Sequence, residues 1–232
     1  MAEAGRRGSS VAGVSSGAAV GTVRGQPWVV GALERQDLDG TSWVDVARGW
    51  VRDPDQVYDA LADVVPWRQA ALWRYDHPRL ENRLSAAVRP TLAGPHPAVL
   101  ETHKALRRHY GVELGGVGLS WYRDGRDALG AHRDSDLRHC DDTLIAVLTL
   151  GATRPWLLLP RDASGPPVDV APAAGDLLVM GGRAQADWLH HVPPVPGLQA
   201  GRISVQWRWT SGGGRPERGG GSRAPRRYGH GR

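Results

Sequence analysis

The chemistry in this chain is most concentrated at Gly130-Ala131-His132-Arg133-Asp134. On a β-strand, residues i and i+2 share a face, so His132 and Asp134 can reach one metal ion while Arg133 points away. A third ligand has to come from a distant segment. Trp188-Leu189-His190-His191-Val192-Pro193 offers two adjacent candidates, and alternation turns only one of them inward. His139 sits in a polar stretch that reads as a loop. Two histidines and one carboxylate on one side of a metal leave the opposite positions open, the arrangement that suits non-haem iron(II) and oxygen.

The second anchor is Arg202-Ile203-Ser204-Val205-Gln206-Trp207-Arg208. The two arginines are evenly spaced and fall on one side of a strand. If that side faces a pocket, two guanidinium groups there need an anion. A dicarboxylate such as 2-oxoglutarate supplies one, gripped by the guanidinium fork. The opposite assignment is equally compatible with alternation: Ile203, Val205 and Trp207 form the core face and the arginines are solvated.

These residues have to be positioned by the rest of the chain. Its 232 residues fit one domain with disordered ends, and 41% apolar content is enough for a core. No apolar run approaches the length of a membrane span, so no membrane association is expected. The single cysteine, Cys140, excludes an internal disulfide and a multi-cysteine metal site, and fits a reducing, cytoplasmic setting. Arg6 and Arg7 precede a stretch broken by Gly13, Ser15, Ser16 and Gly17, which reads as a floppy leader rather than an export signal. Net charge is +5, but residues 211–232 hold six Arg and one Glu and carry all of it. The body is neutral, so bulk charge gives no argument for a nucleic-acid partner. The tail could bind phosphate backbones without sequence preference or simply keep the chain soluble.

Four regions follow: a disordered leader over 1–26, a helical or lid region over 27–115, a β core over 116–210 and a disordered Arg/Gly-rich tail over 211–232. Asp53 as N-cap, Pro54 at the first position and Gln56 at capping-box spacing predict a helix with Val57, Leu61 and Val64 on one face. A second helix is expected from about Pro97 to Tyr110, stopped by Gly111. From 116 onward, short apolar segments separated by Gly, Pro and Asp predict strands at Val117–Tyr122, Ala128–Asp134, Leu144–Leu150, Trp156–Leu159, Val168–Val170, Asp176–Met180, Trp188–Val192 and Arg202–Trp209. About eight strands in two sheets describe a jelly roll, giving a mainly β fold with flanking helices.

Over residues 117–209 the chain resembles the AlkB family of oxidative dealkylases. The family's motifs appear in order as Ser120-Trp121-Tyr122, Asp124-Gly125, His132-Arg133-Asp134, Thr149-Leu150-Gly151, Gly175-Asp176-Leu177-Leu178-Val179-Met180, Trp188-Leu189-His190 and Arg202 to Arg208. The resemblance implies iron(II) held by His132, Asp134 and His190, with O2 as oxidant and ascorbate needed in vitro. It implies 2-oxoglutarate held by Arg202 at its distal carboxylate, by Arg208 near the keto-acid end and by the Tyr122 hydroxyl. Ser120 replaces the family's asparagine, which puts one co-substrate hydrogen bond in question although a hydroxyl can still donate.

The same resemblance implies a substrate-binding role for Asp136, against the exocyclic group of a target base. Trp73, Tyr75 and Arg79 are candidates for the lid, near Pro78-Arg79-Leu80. The aromatic that usually follows that motif is absent, Glu81-Asn82-Arg83-Leu84 standing there instead. The implied activity is oxidative dealkylation of N-alkylated DNA or RNA by a monomer with no protein partner. Two other readings keep parts of this picture. One is hydroxylation of a protein or small molecule at the same iron site; the other is a non-catalytic nucleic-acid-binding module that uses the basic tail.

Overall fold

The computed structural model describes residues 28–211 apart from 75–76, 89–94, 135 and 139; for 72–74 and 77–79 it describes the backbone. The expected disordered ends lie outside the described residues.

The eight segments expected from residue 116 onward are all strands: β5 Val117–Tyr122, β6 Leu129–His132, β7 Thr143–Gly151, β8 Leu157–Pro160, β9 Val168–Asp169, β10 Leu177–Gly182, β11 Trp188–Val192 and β12 Arg202–Thr210. The region before them is not mainly helical. It contributes β1 Glu34–Asp37, β2 Ser42–Ala47, β3 Arg68–Arg74 and β4 His77–Val88 beside two helices, α1 Pro54–Val64 and α2 Pro97–Tyr110. All strand pairs are antiparallel. They form a large sheet in the order β1-β2-β10-β7-β12-β5-β4-β3 and a small one in the order β6-β11-β8-β9. This is a jelly roll, with the early strands extending both edges of its large sheet.

Three layers result. The helices cover one face of the large sheet, where Val57, Leu61, Ala98, Val99 and Leu106 pack with Leu148, Leu150, Ile203, Val205 and Trp207. The small sheet covers the other face, where Tyr122, Ile145, Val147, Leu178 and Met180 meet Trp156, Leu158, Trp188 and Val192. Both faces of the central strands are therefore buried, and every residue of β7 from Thr143 to Leu150 is inside.

Trp207 is 0% exposed, and its indole nitrogen has no hydrogen-bond partner among the described residues. Trp207→Ala is expected to cost about 3–5 kcal/mol, the range for emptying a buried aromatic site, read by urea denaturation of the full chain. Trp207→Phe removes the unpaired N–H with the cavity mostly filled and is expected to cost less.

The helix ends differ in part from expectation. Asp53 precedes α1 with φ 46° and ψ 53° and makes no side-chain cap bond. A capping side chain normally requires extended backbone at that position, and the left-handed turn at Asp53 does not provide it. Val64 is 56% exposed, so the buried stripe of α1 is Val57 and Leu61. In α2 the cap is His96, whose Nδ1 accepts from the Ala98 amide at 3.1 Å. Gly111 ends the helix at φ 66°, its amide donating to the Arg107 carbonyl at 3.0 Å.

Candidate metal and co-substrate site

β6 and β11 are neighbours in the small sheet, and their pairing sets the Cα atoms of His132 and His190 opposite each other. The strand β6 ends at His132, two residues sooner than expected. Asp134 is carried back to the site by the turn that follows, where the Leu137 and Arg138 amides both donate to the Asp134 carbonyl at 3.0 Å. Ligand atoms of His132, Asp134 and His190 lie within 4.8 Å of one another. Asp134 Oδ1 stands 3.6 Å from His132 Nε2 and 3.9 Å from His190 Nε2, too far for hydrogen bonds and consistent with a gap that an ion fills.

The neighbours fix these side chains. His132 Nδ1 lies 2.9 Å from the Gly130 carbonyl. A proton on Nδ1 satisfies that contact and leaves the Nε2 lone pair facing the gap. The Asp134 amide donates to Gln185 Oε1 at 2.8 Å, and Asp134 Oδ2 accepts from Arg208 Nε at 2.5 Å. Gln185 belongs to a single helical turn, α3 Ala184–Asp187, which sequence patterning did not reveal. Arg133 points away from the gap, as alternation predicts, and ties the turn to α3 by donating to the Arg138 and Ala186 carbonyls at 3.2 and 3.0 Å. Trp156 lies near-parallel to the His190 ring at a centroid distance of 6.1 Å and helps to bury it.

Electrostatics keep Asp134 and His190 in metal-binding form. Burial opposes the charged state of Asp134, but His132, Arg208 and His190 more than offset it, so the carboxyl stays below its usual range. Burial, helped by the neighbouring positive groups, depresses His190 to about 3. An unfolded His titrates near 6.5, so between about pH 6.5 and 3 the unfolded chain binds the proton that folded His190 refuses. In metal-free protein this group contributes a loss of stability as pH falls through that window. The slope approaches ~1.4 kcal/mol per pH unit for one proton. Thermal melts of chelator-treated wild type and His190→Gln across pH 4–7 are expected to differ in steepness, the wild type being steeper.

β12 shows where its alternating side chains go. Ile203, Val205 and Trp207 do form a core face, but it is the face under the helices. The other face is not solvent. Ser204, Gln206 and Arg208 line the cavity between the sheets together with Tyr122, His132, Asp134 and His190. Arg202 is fully buried beside Tyr122, its strand partner on β5. One nitrogen, Nη2, donates to Thr149 Oγ1 at 3.2 Å; Nε and Nη1 have no hydrogen-bond partner among the described residues. Burial lowers its pKa only to about 10, so the group is charged at neutral pH.

Two unfilled donors on a buried cation form the kind of cradle that a carboxylate fits. Tyr122 is buried as well, and burial raises its pKa, which keeps the hydroxyl protonated and able to donate. Ser120 lies opposite Ser204 and accepts from Gln206 Nε2 at 3.3 Å. Arg208 passes over Gly118, where an added Cβ would meet its Nη1 at 3.4 Å.

The donor set thus fits an iron(II) ion, and the orphaned guanidinium of Arg202, beside Tyr122, fits a carboxylate. A family profile for the 2OG-Fe(II) oxygenase superfamily matches residues 56–208. The chain belongs to that superfamily. Its relatives include the alpha-ketoglutarate-dependent dioxygenase alkB homolog 3 of Bos taurus, 28% identical over 73% of this chain and 66% of the relative. The human DNA oxidative demethylase ALKBH2 is 29% identical over 39% of this chain and 37% of its own. The AlkB resemblance of the motifs is borne out by these relatives. The chain spans less than two thirds of the length of both. A prolyl hydroxylase from Trichoplax adhaerens, solved with a hypoxia inducible factor peptide, shares the fold at a TM-score of 0.52 and 11% identity, over 72% of this chain and 83% of that one.

The substrate candidates fare differently. Asp136 is exposed in the turn after Asp134 and is not among the described residues lining the cavity. Tyr75 and the side chains of Trp73 and Arg79 lie outside the described residues. Two arginines near the site escaped sequence reading. Arg154 is buried, donates to the Asp127 and Pro193 carbonyls at 2.7 Å each, and has its guanidinium carbon 5.1 Å from the Tyr122 ring centroid. Arg83, on β4, lines the cavity. A larger surface cleft of about 750 Å³ around Leu38, Asp39, Arg161 and Trp188 contains none of the iron or co-substrate candidates.

Proposed function

We propose that the chain is an iron(II)- and 2-oxoglutarate-dependent dioxygenase that removes N-alkyl groups from nucleobases in DNA or RNA. The observation that carries this reading is the His132–Asp134–His190 cluster in a cavity that Tyr122 also lines, with the two unpartnered buried donors of Arg202 beside Tyr122 on the neighbouring strand. His132 and His190 bind the metal through Nε2, and Asp134 binds through Oδ1 while Arg208 holds Oδ2. Arg202 takes the distal carboxylate of 2-oxoglutarate, and Tyr122 donates its hydroxyl to the same ligand.

Bound iron supplies the oxidising chemistry that a side chain cannot. Overall, an N-methyl base, O2 and 2-oxoglutarate give the N–H base, formaldehyde, succinate and CO2. The protein positions the reactants and keeps water out, with Leu129, Trp156 and Val192 walling the cavity. A base in a duplex has to leave the stack to reach it. The relatives' names support the substrate class: one is a DNA oxidative demethylase. We also propose a cytoplasmic monomer. Separately, no helix among the described residues is long and apolar enough to cross a membrane.

The test is formaldehyde release from single-stranded oligonucleotides carrying one 1-methyladenine or one 3-methylthymine, with iron(II), 2-oxoglutarate and ascorbate. Release that requires both iron and 2-oxoglutarate and is lost in His132→Ala supports the reading. Succinate formation without release from either oligonucleotide keeps the oxygenase and rejects nucleobases as its substrate.

A further inference from the structure

Arg83 stands one residue before the Leu84–Trp121 pair, on the strand next to β5, and so flanks Tyr122 on the side opposite Arg202. Its guanidinium carbon lies 6.0 Å from the Tyr122 ring centroid, and its side chain is 14% exposed. Nη2 approaches Glu81 Oε2 at 3.5 Å. Nε and Nη1 are buried, with no hydrogen-bond partner among the described residues. Arg83 lines the same cavity as the three metal ligands.

A guanidinium has five donors and no acceptor. Two buried donors left open cost stability unless something in the cavity accepts from them. Among the described residues the cavity offers these two donors no free carboxylate. Among its described lining residues Asp134 is the single acid, and it already accepts from Arg208 and faces the two histidines. Asp136, the other acid near the site, does not line the cavity. The wall that Arg83 forms therefore presents a positive charge and two open N–H groups to the cavity.

That chemistry discriminates between alkylated bases. 1-Methyladenine carries a positive ring, and the edge beside its methyl group presents an amino donor. Both features clash with Arg83. 3-Methylthymine is neutral, and its methylated nitrogen lies between two carbonyl oxygens, both acceptors. Building on the dealkylase reading above, we propose that Arg83 is a specificity-determining residue that donates to a carbonyl oxygen of the target, so that the favoured substrates are neutral N-alkylated oxo-bases rather than cationic ones.

The experiment compares kcat/KM for two single-stranded DNA oligonucleotides differing only in one base, 3-methylthymine or 1-methyladenine. Wild type, Arg83→Leu and Arg83→Lys full-length proteins are assayed. Wild type is expected to favour 3-methylthymine by ~10-fold or more, since a hydrogen bond to a charged donor is worth about that factor or somewhat more. Arg83→Leu is expected to move the ratio toward 1-methyladenine by ~10–100-fold. Arg83→Lys keeps the charge without the fork and is expected to fall between. A wild-type preference for 1-methyladenine, or a ratio unmoved by Arg83→Leu, overturns the proposal. So does a change confined to the KM for 2-oxoglutarate, which assigns Arg83 to the co-substrate.

Calorimetric binding of the free methylated deoxynucleosides to protein loaded with Mn(II) and N-oxalylglycine makes the same comparison without turnover. If neither oligonucleotide releases formaldehyde, the dealkylase reading fails while Arg83 is still judged by binding. Tighter binding of 3-methylthymidine that is lost in Arg83→Leu supports its role, and equal binding of the two nucleosides overturns it.

Discussion

Replacing Arg202 by Met is expected to move two measurements in opposite directions: 2-oxoglutarate binding is lost, and the ligand-free protein melts at a higher temperature. Arg202 is fully buried, yet among the described residues only its Nη2 has a hydrogen-bond partner, the neutral hydroxyl of Thr149. A buried cation in that state is a debt carried by the empty protein, because the desolvation cost is not offset by a counter-charge. Substituting a well-packed apolar side chain for a buried charge is neutral or stabilising by about 1–4 kcal/mol in comparable sites. In the loaded protein the balance reverses. A carboxylate meeting Nε and Nη1 makes charge-assisted bonds in a dry site, and losing them costs at least about 100-fold in affinity. Titration calorimetry with 2-oxoglutarate and thermal melts with and without it measure both effects on the same samples. A lower melting temperature for ligand-free Arg202→Met would mean that the guanidinium serves the fold and not the co-substrate. A structural arginine and a binding arginine are thus separated by sign, not by size.

How the sequence concealed or revealed these features follows from packing. The strands from Val117 onward were legible because each is a short apolar run between turn formers, and each is buried enough to need one. β1 and β4 were not. Glu34-Arg35-Gln36-Asp37 is polar and exposed throughout, and its place in the sheet rests on backbone pairing with β2. β4 carries charges at Arg79, Glu81 and Arg83 along an otherwise plausible strand. Backbone pairing leaves no hydrophobic trace, so an outer strand of this kind is silent in the pattern. The orientation of β12 was ambiguous for the opposite reason. Both of its faces are buried, one under the helices and one in the cavity, so alternation alone could not say which face held the site. The motif resemblance resolved that, since order and spacing across 90 residues carry information that a single strand lacks. Arg154 and Arg83 stayed hidden because a buried arginine far from its neighbours in sequence reads as surface charge. The absence of the usual aromatic after Pro78-Arg79-Leu80 was the one signal at Arg83.

The second large effect is expected at the Asp134–Arg208 pair, and its form distinguishes a ligand from the residue that aims it. Asp134 divides its oxygens: Oδ2 accepts from Arg208 at 2.5 Å, and Oδ1 faces both histidine Nε2 atoms. Asp134→Ala removes a ligand and the only acid among the described cavity-lining residues, leaving two histidines that cannot retain iron(II). Turnover is expected to vanish, and Arg208 is left without its carboxylate. Arg208→Met leaves all three ligands but frees Oδ2 to rotate. Loss of a supporting contact of this kind typically costs about 10–100-fold in metal affinity. Since both substitutions break one shared interaction, the double variant is expected to bind iron no worse than Asp134→Ala alone, a strongly non-additive cycle. Iron affinity measured by competition with a chromogenic chelator gives all four corners of that cycle. Additive losses would mean that Arg208 acts independently of Asp134. The site would then hold its co-substrate through Arg208 but would not use it to orient the metal's carboxylate.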